Sequence, residues 1–272
     1  MKFKAKVYKP NILLKTVQNI MKIHNDGICH ITPHKLRFII QSEINDGMQV
    51  FCEIQREQVF ENFIIESLSD NEIQFQLDLE HLRRALQSST SQSPCDVFVN
   101  LTKKGDNPIL HFVIQSSSSS IMLVQDVPIV LLTAQQMAQI NEPILPDPVV
   151  HILMPNLKNV QKVVDKMKNI SELLKITVSM NHRLSFAVET GNGSISTFYN
   201  GLEHPQFEKN ISSEPERSHS VNVDIKKFGK VLHIHQLSPS EVVLCLYERS
   251  IIVHVVLTGI MITYYIPVVF RN

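Results

Sequence analysis

Apolar residues along the chain keep two rhythms, one helical and one alternating, and the switches between them mark out its elements. Over 156–170, Leu157, Val160, Val164, Met167 and Ile170 fall on one stripe at helical spacing. Lys158, Lys162, Lys166 and Lys168 lie away from it, with Asp165 the only acid, so this helix has a core face and a basic face. A second helix is expected from Pro10 to about Asn25, with Leu13, Leu14, Val17, Ile20 and Met21 inward and Asn11, Lys15, Gln18 and Lys22 outward. Two shorter ones are expected over 79–88, capped by Asp78, and 225–235. Strands are predicted at 2–8, 28–32, 35–41, 48–54, 58–65, 72–78, 95–101, 108–115 and 120–125. After a gap they resume at 149–154, 173–180, 183–190, 194–200, 220–223, 242–247, 251–257 and 260–266. Asp46-Gly47 and Asp70-Asn71 read as hairpin-like turns.

The gap is 126–148, which carries Pro128, Pro143, Pro146 and Pro148 and reads as a connector with little regular structure. The pattern before it restarts after it. Leu77-Asp-Leu-Glu-His-Leu-Arg-Arg-Ala-Leu86 lies over Val223-Asp-Ile-Lys-Lys-Phe-Gly-Lys-Val-Leu232 at a constant offset of 146, and the first strand and helix map onto 149–170 at nearly the same offset. The expected architecture is therefore α+β: two tandem similar domains, 1–125 and 149–272, each with two helices packed on antiparallel sheet.

Charge changes the picture only through its distribution. The totals balance at 26 basic and 26 acidic residues, so no overall attraction to a polyanion follows. Counted over 9–25, 80–88, 156–170 and 222–235, the four helical segments nevertheless hold 12 Lys or Arg against three acids, Glu80, Asp165 and Asp224, which leaves them at +9 and the rest of the chain at −9. A helical surface meeting a polyanion through phosphates, without base stacking, is one reading, since no aromatic residues interleave the lysines. The other is a non-ring interaction scaffold whose basic helices bind an acidic protein or a membrane surface.

Cys29, Cys52, Cys95 and Cys245 stand far apart with no CxxC pair, the usage of buried thiols in a reducing compartment, and MKFKAKVY has no apolar leader core, so an intracellular protein is expected. His30 with His34, and His233 with His235, lack Cys or carboxylate partners at ligand spacing, so no metal is expected. No Gly-rich phosphate loop or hydrolase motif is present, and the chain reads as a non-enzyme needing no cofactor. Ile251–Phe270 contains no charged side chain, yet its Thr258-Gly259 break, Pro267 and β-branched content predict a buried hairpin rather than a membrane span.

The carrying residues of a family resemblance are Met1-Lys-Phe-Lys-Ala-Lys, Ile31-Thr-Pro-His-Lys-Leu-Arg-Phe-Ile39, Cys52-Glu-Ile and Phe60-Glu-Asn-Phe63. With them go the Ser run at 116–120, Asp126-Val-Pro-Ile129, Glu142-Pro-Ile-Leu-Pro-Asp-Pro148 and Val164-Asp-Lys-Met-Lys-Asn-Ile-Ser171. In these the chain resembles DNA sliding clamps of the PCNA type and, more closely, the Hus (Hus-one) subunit of the heterotrimeric nine-one-one checkpoint clamp. The resemblance covers nearly the whole sequence. It implies a nuclear subunit of a three-chain ring that a clamp loader opens around double-stranded DNA at damage sites, a platform for checkpoint signalling proteins and repair enzymes, with no membrane involved. By the same resemblance Lys15, Lys22, Arg83, Arg84, Lys158, Lys162, Lys166, Lys226, Lys227 and Lys230 would face duplex phosphates. Edge strands 118–125 and 194–200 would pair with the two other clamp-type subunits through Ile121, Met122, Leu123 and Val124 on one side and Ile195, Thr197, Phe198 and Tyr199 on the other. Val127, Ile129, Pro143, Pro146, Asp147 and Pro148 would form the partner-binding connector.

Overall fold

The structure, a computed structural model, describes residues 1–41, 47–90, 94–116, 120, 122–191, 193–205 and 217–270. The chain divides into two compact units, the first Met1–Gln41 with Val50–Glu142, the second Ser42–Gln49 with Pro143–Asn272.

In the first unit, β1 (Lys2–Val7) leads to α1 (Pro10–Ile20), β2 (Asp26–Ile31), β3 (Lys35–Gln41), β4 (Gln49–Gln55), a single turn α2 (Arg56–Val59), β5 (Phe60–Glu66) and β6 (Ile73–Asp78). Helix α3 (Leu79–Thr90), β7 (Cys95–Lys104), β8 (Asn107–Ser116), β9 (Met122–Leu131) and a second single turn, α4 (Ala134–Met137), complete it. Strand order is β4-β3-β2-β6-β9-β8-β7-β1-β5. Helices α1 and α3 pack side by side, and Leu13, Leu14, Val17 and Ile20 of α1 and Leu79, Leu82, Ala85 and Leu86 of α3 are buried. Each helix starts where its sequence provides for it. Pro10 opens α1, where a missing N–H costs nothing, and Asp78 accepts from the Glu80 N–H at 2.8 Å at the head of α3.

The second unit repeats this plan as β10 (Val150–Leu153), α5 (Leu157–Met167), β11 (Leu173–Ser179), β12 (Arg183–Thr190), β13 (Gly193–Asn200), β14 (Ser218–Asp224), α6 (Ile225–Leu232) with a following 3-10 turn, β15 (Glu241–Leu246), β16 (Ser250–Leu257) and β17 (Ile260–Pro267). Its strands run β13-β12-β11-β14 and β10-β15-β16-β17, the orders β4-β3-β2-β6 and β1-β7-β8-β9 over again. One member differs. In the first unit β5 covers the outer edge of β1. In the second, no described strand covers β10. The Leu153 N–H donates to Glu203 O at 2.9 Å, and the His204 Nδ1–H donates to His151 O at 2.6 Å.

Several expectations are corrected. Residues 126–131 are not connector but the second half of β9, with Val127 and Ile129 facing Leu110 and Leu77 across the sheet and buried between its layers. Pro128 is exposed in the middle of that strand, so the proline marks an outward position and not a break. Asp70 and Asn71 do turn, both with positive φ, but β5 then pairs with β1 and β6 with β2, so the turn joins different parts of the sheet and is no hairpin. Helix α1 ends at Ile20 and α5 at Met167, and Ile170, past the end of its helix, loses the stripe's phase and is exposed. The uncharged C-terminal run is the hairpin β16–β17, closed by Thr258-Gly259 with Gly259 at φ +69°. No helix among the described residues is long and apolar enough to cross a membrane. Asp46 lies outside the described residues.

Candidate nucleic-acid interface

Helices α5 and α6 carry the fullest basic surface. Asn156 caps α5 through the Asn159 N–H at 3.3 Å, and Leu157, Val160, Val164 and Met167 anchor its inner face. Asp224 caps α6 with two bonds, from the Lys226 N–H at 2.8 Å and the Lys227 N–H at 3.0 Å. Phe228 anchors α6 against Phe186 of β12, with ring centroids 5.7 Å apart. The two helices touch where Gly229 faces Val164 and where the Gln161 amide meets His233 at 3.1 Å. Each buried side chain of this size removes about 1.5–3 kcal/mol of apolar exposure from water, so packing fixes which face is left for solvent. On that face Lys158, Lys162, Lys166, Lys168, Lys226 and Lys230 are exposed, and Lys227 is half-buried.

Helices α1 and α3 present less free charge. Lys15 is exposed on α1, whereas Lys22 lies in the turn beyond the helix, half-buried, and burial lowers its pKa. On α3 the Arg83 fork closes on Glu80, Nε–Oε2 and Nη2–Oε1 both at 2.7 Å, while its Nη1 meets Gln87. Arg84 adds Nε–Oε1 at 2.9 Å to the same carboxylate. The two guanidiniums hold the Glu80 carboxyl down at about 2.

On the sheets several cations are paired. Lys2 bonds Glu66, Lys6 bonds Asp96, Lys35 and Arg37 share Glu53, and Lys104 shares Asp126 with His111. Among the described residues, no carboxylate lies within 4.0 Å of the ammonium groups of Lys15, Lys158, Lys162, Lys166, Lys226 or Lys230. These lysines of α1, α5 and α6 are thus unpaired among the described residues, while the arginines of α3 are paired with Glu80.

Among the described residues, the two expected interface strands each have an edge that no strand covers along at least part of its length. β13 is last in its sheet, with Ile195 and Phe198 exposed, Thr197 and Tyr199 half-buried, and the Arg183 guanidinium 4.2 Å from the centre of the Phe198 ring. β9 pairs with β8 throughout its Met122–Pro128 portion, and its other edge meets β6 only from Ile129 onward. Met122 and Val124 are exposed there and Leu123 is half-buried; Ile121 lies outside the described residues. The stack of Arg183 on Phe198 escaped the sequence reading, because the two are far apart in sequence and meet only through the β12–β13 register.

Of the connector residues, Val127 and Ile129 are core and withdrawn from any partner, Pro146 and Asp147 are exposed, and Pro143 and Pro148 are half-buried. Ile144, not singled out by the sequence, is 99% exposed. His30 meets Glu72 at 2.9 Å, His233 meets the Gln161 amide at 3.1 Å, and His235 donates to Leu232 O at 3.0 Å. No group of three or more His, Cys, Asp or Glu among the described residues is placed to hold a metal ion. Burial pushes the thiols of Cys29, Cys52 and Cys245 upward, which makes them packing residues rather than nucleophiles.

Comparison with known proteins gives a consistent answer. Residues 1–270 match the family described as Hus1-like protein. The chain is 73% identical to "Checkpoint protein hus1 homolog" of Dictyostelium discoideum over the full length of both, and 31% identical to "Checkpoint protein HUS1" of Homo sapiens, covering 98% of this chain and 99% of that one. Among solved structures it is similar to proliferating cellular nuclear antigen from Entamoeba histolytica, at a TM-score of 0.75 and 13% identity over 98% of this chain and 99% of that one, a likeness of fold.

Proposed function

The chain belongs to the Hus1-like family, and from that premise we propose that it is one subunit of a heterotrimeric ring-shaped clamp that encircles duplex DNA at damage sites. In the nucleus it would carry checkpoint signalling proteins and repair enzymes along the duplex, after a clamp loader has opened the ring. The observation that carries the DNA-facing part is the row of unpaired cations on α5 and α6, Lys158, Lys162 and Lys166 on one and Lys226 and Lys230 on the other. Such a row meets phosphates at any sequence, and releasing their counter-ions supplies the affinity. Lysine suits sliding, because its rotatable point charge can pass from one phosphate to the next without the fixed fork of arginine.

The free edges of β9 and β13 fit sheet addition by the neighbouring subunits, since backbone groups left open along an edge are satisfied by another strand. The clamp-like fold of relatives described as proliferating cellular nuclear antigen supports the same assembly. The test is retention of the assembled three-subunit complex on closed circular DNA after loading. Retention that is lost on cutting the circle fits a ring, which slides off ends. Retention unaffected by cutting means ordinary surface binding and overturns the ring in favour of a scaffold.

A further inference from the structure

The two units differ at one half-buried helix position in a way that bears directly on how DNA is held. Laying α3 over α6 puts Glu80 where the second unit has Lys226, Arg83 over Gly229 and Arg84 over Lys230. The second unit therefore offers two lysines one turn apart, while the first offers two adjacent arginines and an acid one turn before them. That acid is not idle. Both of its oxygens are taken by the Arg83 fork at 2.7 Å, and one also accepts from Arg84 at 2.9 Å. With Gln87 holding the remaining arm of Arg83, every nitrogen of that guanidinium already has an acceptor on its own helix. Arg84 is freer, its side chain 65% exposed.

We propose that Glu80 is a built-in counter-ion that closes the phosphate-binding fork of Arg83 and partly neutralises Arg84, so that duplex DNA is held mainly by the lysines of α5 and α6. The proposal rests on the DNA-facing reading above and deepens it by assigning an unequal share of the grip to the two units. Arginine, left free, binds phosphate through two parallel bonds and would tether the backbone at one point. Glu80 supplies that bidentate partner internally. A phosphate must then compete with an intramolecular carboxylate: the single bond to the exposed Arg84 gives way readily, whereas the half-buried bidentate pair keeps Arg83 engaged. Sliding is favoured where no contact is strong enough to arrest it.

The test is fluorescence anisotropy of the assembled complex with a short labelled duplex, titrated across salt concentrations. Three versions of this chain are compared with the unchanged one: Glu80→Gln, which keeps shape and removes the charge, Glu80→Lys, the residue of the other repeat, and the triple Lys158, Lys162, Lys166→Ala. The proposal expects Glu80→Gln to tighten binding by about threefold or more and to steepen the dependence of log affinity on log salt by about one. Glu80→Lys should go further, and the triple variant should weaken binding and flatten the slope. If the triple variant weakens binding while both Glu80 variants match the unchanged chain, the counter-ion role is overturned and the DNA-facing reading survives. If the triple variant binds as the unchanged chain does, the DNA-facing reading itself fails and takes this proposal with it.

Discussion

Helices α3 and α6 hold the same place in the two units and treat both their inner and outer faces differently. Outside, Glu80 ties up two arginines where Lys226 and Lys230 stand unpaired. Inside, Leu82 lies where the second unit has Phe228. The space around Leu82, shared with Phe38 and Phe75, includes an apolar cavity of about 30 Å³, whereas Phe228 fills its site against Phe186. Apart from β5, the strand order came through unchanged, because a one-residue slip in pairing would turn every core side chain outward. Side chains on exposed positions were free to diverge, and those are the positions that set what each unit can bind.

The largest expected effect tests the inner difference. Phe228→Ala should cost about 3–5 kcal/mol, read as a lowered denaturation midpoint, since the vacated space is walled by Phe186 and by the β-branched residues of the facing strands. Leu82→Phe, the corresponding change in the first unit, should shift stability by less than about 1.5 kcal/mol because part of the added ring enters existing space. Equal and large losses in both variants would mean that the two cores are filled alike.

The helix caps give a smaller contrast. Asp224 accepts two backbone N–H bonds and Asp78 accepts one among those described. Asp224→Ala should therefore cost about 1–2 kcal/mol and Asp78→Ala about 0.5–1 kcal/mol in urea denaturation. The reverse order would show that the exposed neighbours of Asp224, not its bonds, set its worth.

The Asp78 cap was read from the sequence, as were all four longer helices and the repeat itself, because capping residues and apolar period are local signals; Asp224 was counted there only as an acid. What was lost depended on distant partners. Val127 and Ile129 alternate like strand residues, but only the neighbouring strands β6 and β8 show that the segment is core, and four prolines nearby argued for a linker. Ile170 kept helical spacing past the point where the helix stops, and spacing alone cannot mark that end. Lys15, Lys158, Lys162, Lys166, Lys226 and Lys230 are exposed while Lys22 and Lys227 are half-buried, and counting charges gave Arg83 and Arg84 the same weight as Lys158 and Lys162. A net charge does not reveal that a carboxylate one turn away already fills a guanidinium fork.

Acidification offers a further contrast between the units. Burial lowers the pKa of His254, on β16 beside Thr263, below the usual 6.5. The unfolded chain then takes up the proton first, so the contribution of the neutral ring is present above that pH and is lost as the pH falls through it. The midpoint of urea denaturation should drop between about pH 7.5 and about pH 5.5, and His254→Leu should reduce that drop. A drop unchanged by the substitution would place the acid sensitivity elsewhere.

The smallest effect concerns the glycine that α6 has and α3 lacks. A Cβ at Gly229 would sit 4.0 Å from Val164 Cγ1, an ordinary contact, and Gly229 lies within a helix where its backbone freedom is only a cost. Gly229→Ala should therefore stabilise the chain by about 0.5–1 kcal/mol, seen as a raised melting temperature. Gly27, at the start of β2, differs: its Cβ would fall 2.8 Å from Ile40 Cδ1, so Gly27→Ala should destabilise unless that methyl swings away. A loss of stability in Gly229→Ala would mean that α5 and α6 need a closer approach than 4.0 Å allows. The glycine would then be what brings Lys158 and Lys162 near to Lys226 and Lys230, and substituting it would weaken DNA binding along with the fold.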